Sequence, residues 1–160
     1  MIAEIYAFEC GQLTMPFAIF FENADDGTMR APIPSFLIKH PKGTVLFDTG
    51  LNEVIKTDPV GYMGERLAGI TEVHFSDGEE IASRLETVDI DIERIDFVVN
   101  SHLHFDHTGG LAAILGLRFQ TTARDSLTIY GPPGTREMVE GLLASMVPGH
   151  SLIELHSTYF

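Results

Sequence analysis

The sequence predicts an α/β domain, and three observations point to it. Short apolar, β-prone runs recur along the chain, at residues 2–8, 35–40, 44–48, 95–99 and 127–130. Between them lie stretches with apolar residues at helical spacing, such as Ile81, Leu85 and Val88, or Met138, Leu142, Leu143 and Met146. The run Ile95-Asp96-Phe97-Val98-Val99 then leads into Ser101-His102-Leu103-His104-Phe105-Asp106-His107-Thr108-Gly109-Gly110. A buried strand therefore delivers four side chains of metal-binding type to its carboxyl end.

Taken in order, Ile2 to Phe8 and Phe17 to Phe21 read as two strands. Asn23-Ala24-Asp25-Asp26-Gly27 reads as a turn, because these residue types tolerate left-handed backbone. Ala31-Pro32-Ile33-Pro34 is expected to lie outside any central strand, since each proline removes a ladder donor. Ser35–His40 and Thr44–Asp48 form a hairpin around Pro41-Lys42-Gly43. Residues 51–76, interrupted by Gly61, Gly64 and Gly69, read as a loop-rich excursion with a short helix near Glu65–Ala68; His74 there reads as an isolated histidine.

Asp77 is placed as the cap of a helix that ends near Thr87, with Glu80 three residues on. Leu111–Leu115 is a short helix expected to end at Gly116, and Leu127–Tyr130 is a strand. Gly131-Pro132-Pro133-Gly134-Thr135 turns into a helix over about residues 135–147, and Leu152–His156 is strand-like. The glycine-rich turn lacks the Lys-Ser/Thr ending of a phosphate-binding loop.

At 160 residues the chain can bury one ordinary core, so it is read as one domain. Ten Lys+Arg against 23 Asp+Glu give a formal charge of −13, which disfavours a nucleic-acid partner. No apolar run has the ~18 residues a membrane span needs, and Met1-Ile2-Ala3-Glu4 is not the basic start of a signal peptide. A cytoplasmic location is the resulting expectation. Cys10 is the only cysteine and reads as a small buried residue.

Three histidines and one aspartate within six residues suit zinc, which takes imidazole nitrogen and carboxylate oxygen. His102 and His104, two apart on extended chain, can grip one ion from the same side. Asp106 and His107, in the turn that follows, can face a second position. Gly109 and Gly110 let the backbone turn and approach closely. Asp48, at a strand end before Thr49-Gly50, is either a support for this site or an Asx-type turn.

The His102–Gly110 run resembles the signature of the metallo-β-lactamase superfamily, and Phe47-Asp48-Thr49-Gly50 matches its second hallmark. Over residues 1–110 the chain is most similar to N-acyl-homoserine lactone lactonases. Residues 111–147 look more like the tRNA 3′-processing and phosphodiesterase branch. The resemblance implies an αβ/βα sandwich holding two metal ions, usually zinc. His102 and His104 would hold the first ion, Asp106 and His107 the second, with Asp48 a support behind them. A metal-bound hydroxide would attack an ester or lactone, and Asp106 would orient it or move its proton.

The family pattern also asks for a distal histidine, a bridging aspartate and a last histidine. Downstream of His107 the chain has only His150, His156 and Asp125. Val147-Pro148-Gly149-His150-Ser151 resembles the segment that supplies the distal histidine, so His150 is a further candidate ligand. The second metal is expected to be under-coordinated and the domain to be cut short at its C-terminus. Three functions follow: a zinc-dependent hydrolase acting on a small ester or lactone; a phosphodiesterase of RNA-processing type; or a truncated, non-catalytic member. A half-sandwich would leave apolar faces bare, so a second copy or a partner supplying the missing half is also expected.

Overall fold

A long hairpin of thirteen-residue strands, β1 (Glu4–Pro16) and β2 (Thr28–His40), starts the fold. The computed structural model describes residues 3–24, 26–121, 123 and 126–146. Strand β3 (Gly43–Phe47) folds back on β2, completing the hairpin expected around residues 41–43. Strands β4 (Glu72–His74), β5 (Phe97–Val99) and β6 (Thr128–Tyr130) complete a six-stranded sheet of order β4-β1-β2-β3-β5-β6. β1, β2, β3 and β4 pair antiparallel, whereas β3, β5 and β6 run parallel.

Parallel neighbours need crossovers. The chain from β3 to β5 carries α1 (Pro59–Met63), α2 (Glu65–Ala68) and α3 (Ile81–Glu86). That from β5 to β6 carries α4 (Phe105–Thr108) and α5 (Leu111–Gln120), and α6 (Thr135–Met146) follows β6. The main core lies between the sheet and α3, α5 and α6. Phe8, Leu37, Leu46, Val98 and Ile129 meet Ile81, Leu85, Leu111, Ile114, Leu115 and Val139 there. Each such side chain contributes about 1.5–3 kcal/mol by leaving water. A second cluster, Leu13, Met15, Ile33, Leu51 and Ile55, packs with Tyr62, Phe75 and Phe105 beside the histidine-bearing turn.

The opposite sheet face differs. Ile5, Ile38, Val45, Phe97 and Thr128 form one cross-strand row; Ala7, Phe36, Phe47, Val99 and Tyr130 form the next. Neither row contains a charge, and none of the ten residues is buried. The described residues thus form a sheet with helices on one face.

Several sequence expectations need correction. Phe17–Phe21 is not a strand: Phe17–Ile19 is a 3-10 turn at the hairpin tip, closed by Phe17 N donating to Gly27 O at 3.0 Å. Strand β1 instead runs on from Phe8 through a bulge between Glu9 and Gln12, where Gly11 takes φ +91°. Pro32 and Pro34 do lie inside β2, opposite Gln12 and Glu9. Being two apart, they lack donors on the same side, and β3 pairs only with Phe36–His40, so no ladder bond is lost there. His74 sits in a strand, 2.8 Å from Thr14 Oγ1.

The cap of α3 is Glu80; Asp77 pairs with Lys56 at 2.7 Å. Helix α5 continues through Gly116, because burial of Ile114 and Leu115 outweighs the ~1 kcal/mol a helical glycine costs. Helix α2 and the helix from Thr135 lie where the sequence placed them. The expected strand at residues 152–156 lies outside the described residues.

Candidate metal centre

Both halves of the site sit at the carboxyl ends of adjacent parallel strands. Strand β3 ends at Phe47 and presents Asp48; β5 ends at Val99 and runs through Asn100 into Ser101 and His102. Asp48 N donates to Val99 O at 2.9 Å, which ties the two ends together. Asp48 holds φ +57°, a left-handed conformation that aspartate tolerates better than most residues. Ser35 Oγ steadies that corner by donating to Asp48 O at 2.7 Å.

The Asp48 carboxylate is 4% exposed and has three donors. Ser101 N reaches Oδ1 at 2.7 Å, while Ser101 Oγ and His107 Nδ1 each reach Oδ2 at 2.8 Å. Burial pushes the Asp48 carboxyl up, but the bonds from His107 and Ser101 outweigh it and hold it below the usual carboxylate range. The Asp48 side chain thus crosses to the residue after β5 and to the histidine turn.

His102, His104 and Asp106 each present a ligand atom, all within 4.8 Å of one another. His107 stands beside them, its ring centroid 3.9 Å from that of His102 and its Nε2 3.3 Å from Asp106 Oδ2. Asp106 therefore joins the two groups of donors. Its carboxyl is pushed up by burial but held below its ordinary value by the His107 contact. His107, gripped by Asp106 and Asp48, is raised to about 9 despite partial burial. Burial and the charges of His107 and His104 lower His102, which favours the neutral imidazole a metal needs.

Ser101 is a participant the sequence did not reveal. Its single hydroxyl proton goes to Asp48, because a carboxylate can only accept. Its oxygen, 3.0 Å from His102 Nδ1, is left to accept from that ring. With Nδ1 of His102 facing Ser101 and Nδ1 of His107 facing Asp48, the Nε2 lone pairs of both rings are left for a metal once His107 loses its extra proton. Two imidazoles and a carboxylate converging, with a third imidazole oriented by a carboxylate behind it, fit the donor set of a borderline divalent ion such as zinc. His150, the remaining sequence candidate, lies outside the described residues.

The glycine pair works by close approach. Gly109 has φ −60° and Gly110 φ −76°, which any residue adopts. A Cβ on Gly109 would lie 2.5 Å from Asn52 N and Tyr62 Oη, and one on Gly110 would overlap the Thr49 carbonyl. Tyr62 and Asn52, from the excursion after β3, are also contacts no local pattern signalled.

Comparison with known proteins agrees with this geometry. The chain is 32% identical over 111 residues to an N-acyl homoserine lactonase, AttM, of Azorhizobium caulinodans, covering 67% of this chain and 41% of that protein. It is 38% identical over 82 residues to ribonuclease Z of Geobacillus kaustophilus, covering 51% of this chain and 26% of that protein. The chain thus spans less than half the length of these curated relatives. In fold it is similar to a solved N-acyl homoserine lactone hydrolase that carries the product N-hexanoyl-L-homoserine at its catalytic metal centre. The TM-score is 0.69 at 19% identity, over 98% of this chain and 61% of that one. A family model for the metallo-beta-lactamase superfamily matches residues 29–152, a span that holds both the Asp48 turn and the histidine cluster. With most of its length inside that match, the chain belongs to the metallo-beta-lactamase superfamily.

Proposed function

We propose that this chain carries the zinc-binding half of a hydrolase that opens small esters or lactones, with acyl homoserine lactones as the substrate class. The observation that carries the reading is the convergence of His102, His104 and Asp106 within 4.8 Å, with His107 braced by Asp48 beside them. The likeness to lactonases, in sequence and in fold, supports the substrate class.

His102, His104, Asp106 and His107 hold zinc, and Asp48 and Ser101 orient His107 and His102. When bound, zinc supplies Lewis acidity and lowers the pKa of water. Asp106, whose carboxylate is held ionised, is placed to accept a proton from a nucleophilic water and pass it on. A cytoplasmic setting completes the proposal: the only cysteine, Cys10, is buried and calls for no oxidising compartment.

The test is ring opening of an acyl homoserine lactone, followed by acid release, with and without added zinc. Zinc-dependent turnover that falls at least ~100-fold in Asp106→Asn is the expected result. A chain that binds zinc and leaves the lactone at its buffer rate would contradict the reading. Ribonuclease Z likeness over 82 residues favours a phosphodiester substrate as the second reading, and the charge of −13 counts against an RNA partner. Turnover of a simple phosphodiester in place of the lactone would decide for it.

A further inference from the structure

We propose that Tyr62 is a positioning residue for the metal-binding turn, its hydroxyl rather than its ring holding α4 so that Asp106 and His107 can grip one ion. This rests on the zinc reading above.

Helix α4 has only four residues, too few to hold itself together. Its shape is imposed from the segment that follows Asp48. Thr49 N and Oγ1 donate to His107 O at 2.7 and 3.0 Å, and Asn52 Nδ2 donates to Gly109 O at 2.9 Å. Tyr62 Oη, from α1, donates to Phe105 O at 3.0 Å. Alternate carbonyls at 105, 107 and 109 are thus tied down, each by a different residue between 49 and 62.

Tyr62 differs from the other two. Thr49 and Asn52 follow β3 directly, and Asn52 also caps its own turn by accepting from Val54 N at 2.9 Å. Tyr62 reaches the site from a separate helix. Its hydroxyl touches the start of α4 at Phe105 and also occupies the space a Gly109 side chain would need, 2.5 Å from that Cβ position. One group therefore bounds the turn at entry and exit, with Asp106 and His107 between. Burial raises the phenol to about 12, so it stays a neutral donor at ordinary pH.

The plainer account is that Tyr62 is a core aromatic, packed edge-on against Phe105 with ring centroids 5.6 Å apart, whose hydroxyl takes the nearest acceptor. Tyr62→Phe separates the two, because it keeps the ring and removes only the hydroxyl. The measurement is zinc affinity by competition with a chromophoric chelator, at a temperature where melting of the metal-free chain shows each variant folded. Tyr62→Phe is expected to bind zinc about tenfold more weakly. Tyr6→Phe, whose hydroxyl donates to exposed Glu4, is expected to bind as the parent does.

Affinity within about twofold of the parent in Tyr62→Phe, whatever its melting temperature, overturns the proposal. So does a Tyr62→Leu chain that folds and binds far more weakly still, since the ring would then carry the effect. If the unaltered chain binds no zinc, the functional reading falls as well; if it binds zinc and Tyr62→Phe binds it equally, only the role of Tyr62 falls.

Discussion

His107 is the residue on which the local electrostatics turn. It bridges two carboxylates, with Nδ1 at 2.8 Å from Asp48 and Nε2 at 3.3 Å from Asp106. Its pKa is raised from 6.5 to about 9, so the folded chain holds a proton that the unfolded chain releases near 6.5. The stabilisation is full below the unfolded value and is lost as pH rises through the folded one. The same contacts lower Asp48 and Asp106 from 3.8, adding stability above that value that is lost as pH falls. Thermal melts of the metal-free chain should therefore show a falling Tm between about pH 6.5 and 9, and His107→Gln should lose that fall. A parent curve flat over this window contradicts the bridge. The cluster of His102, His104, Asp106 and His107 is legible in sequence because its members crowd into one short run. Ser101, Asn52 and Tyr62 were not, because their roles depend on which strands and helices lie side by side.

At the scale of elements, the ligand turn is held by proximity. The backbone from Gly50 to Asn52 lies so close to Gly109 that no side chain fits between them. Gly109→Ala should cost about 1–3 kcal/mol in urea unfolding, as overpacking does. Gly141→Ala, on the exposed side of α6 with nothing within 4 Å, should instead stabilise by about 1 kcal/mol. Equal effects at the two sites would contradict the packing account. Elements with strong periodicity, such as the helix from Thr135 and the hairpin around residues 41–43, could be read directly. The misreadings share a cause: local propensity was outweighed by neighbours. The prolines of β2 are tolerated because β3 stops short of them, and Gly116 stays helical because its flanking residues are buried against the sheet. Phe17 to Phe21 has strand composition, but at the hairpin tip it has no strand to pair with.

For the whole molecule, one layer of the architecture is settled. Helices α3, α5 and α6 cover one sheet face, and the histidine and aspartate cluster lies past the carboxyl end of β5, beside Asp48 at the end of β3. The other face shows two uncharged rows across five strands, and its central residues Val45, Phe47, Phe97 and Val99 are only partly buried. That face is the kind that packs against another layer. Among the described residues, no helix is long and apolar enough to cross a membrane. His102, His104, Asp106 and His107 all lie within one short run, so metal binding is the property this chain should show by itself. Elemental analysis of the purified chain after dialysis against trace zinc tests that most directly. The account predicts about one equivalent of zinc per chain or more, reduced to background in His104→Ala. Zinc at background in the parent chain, or unchanged in His104→Ala, would contradict it.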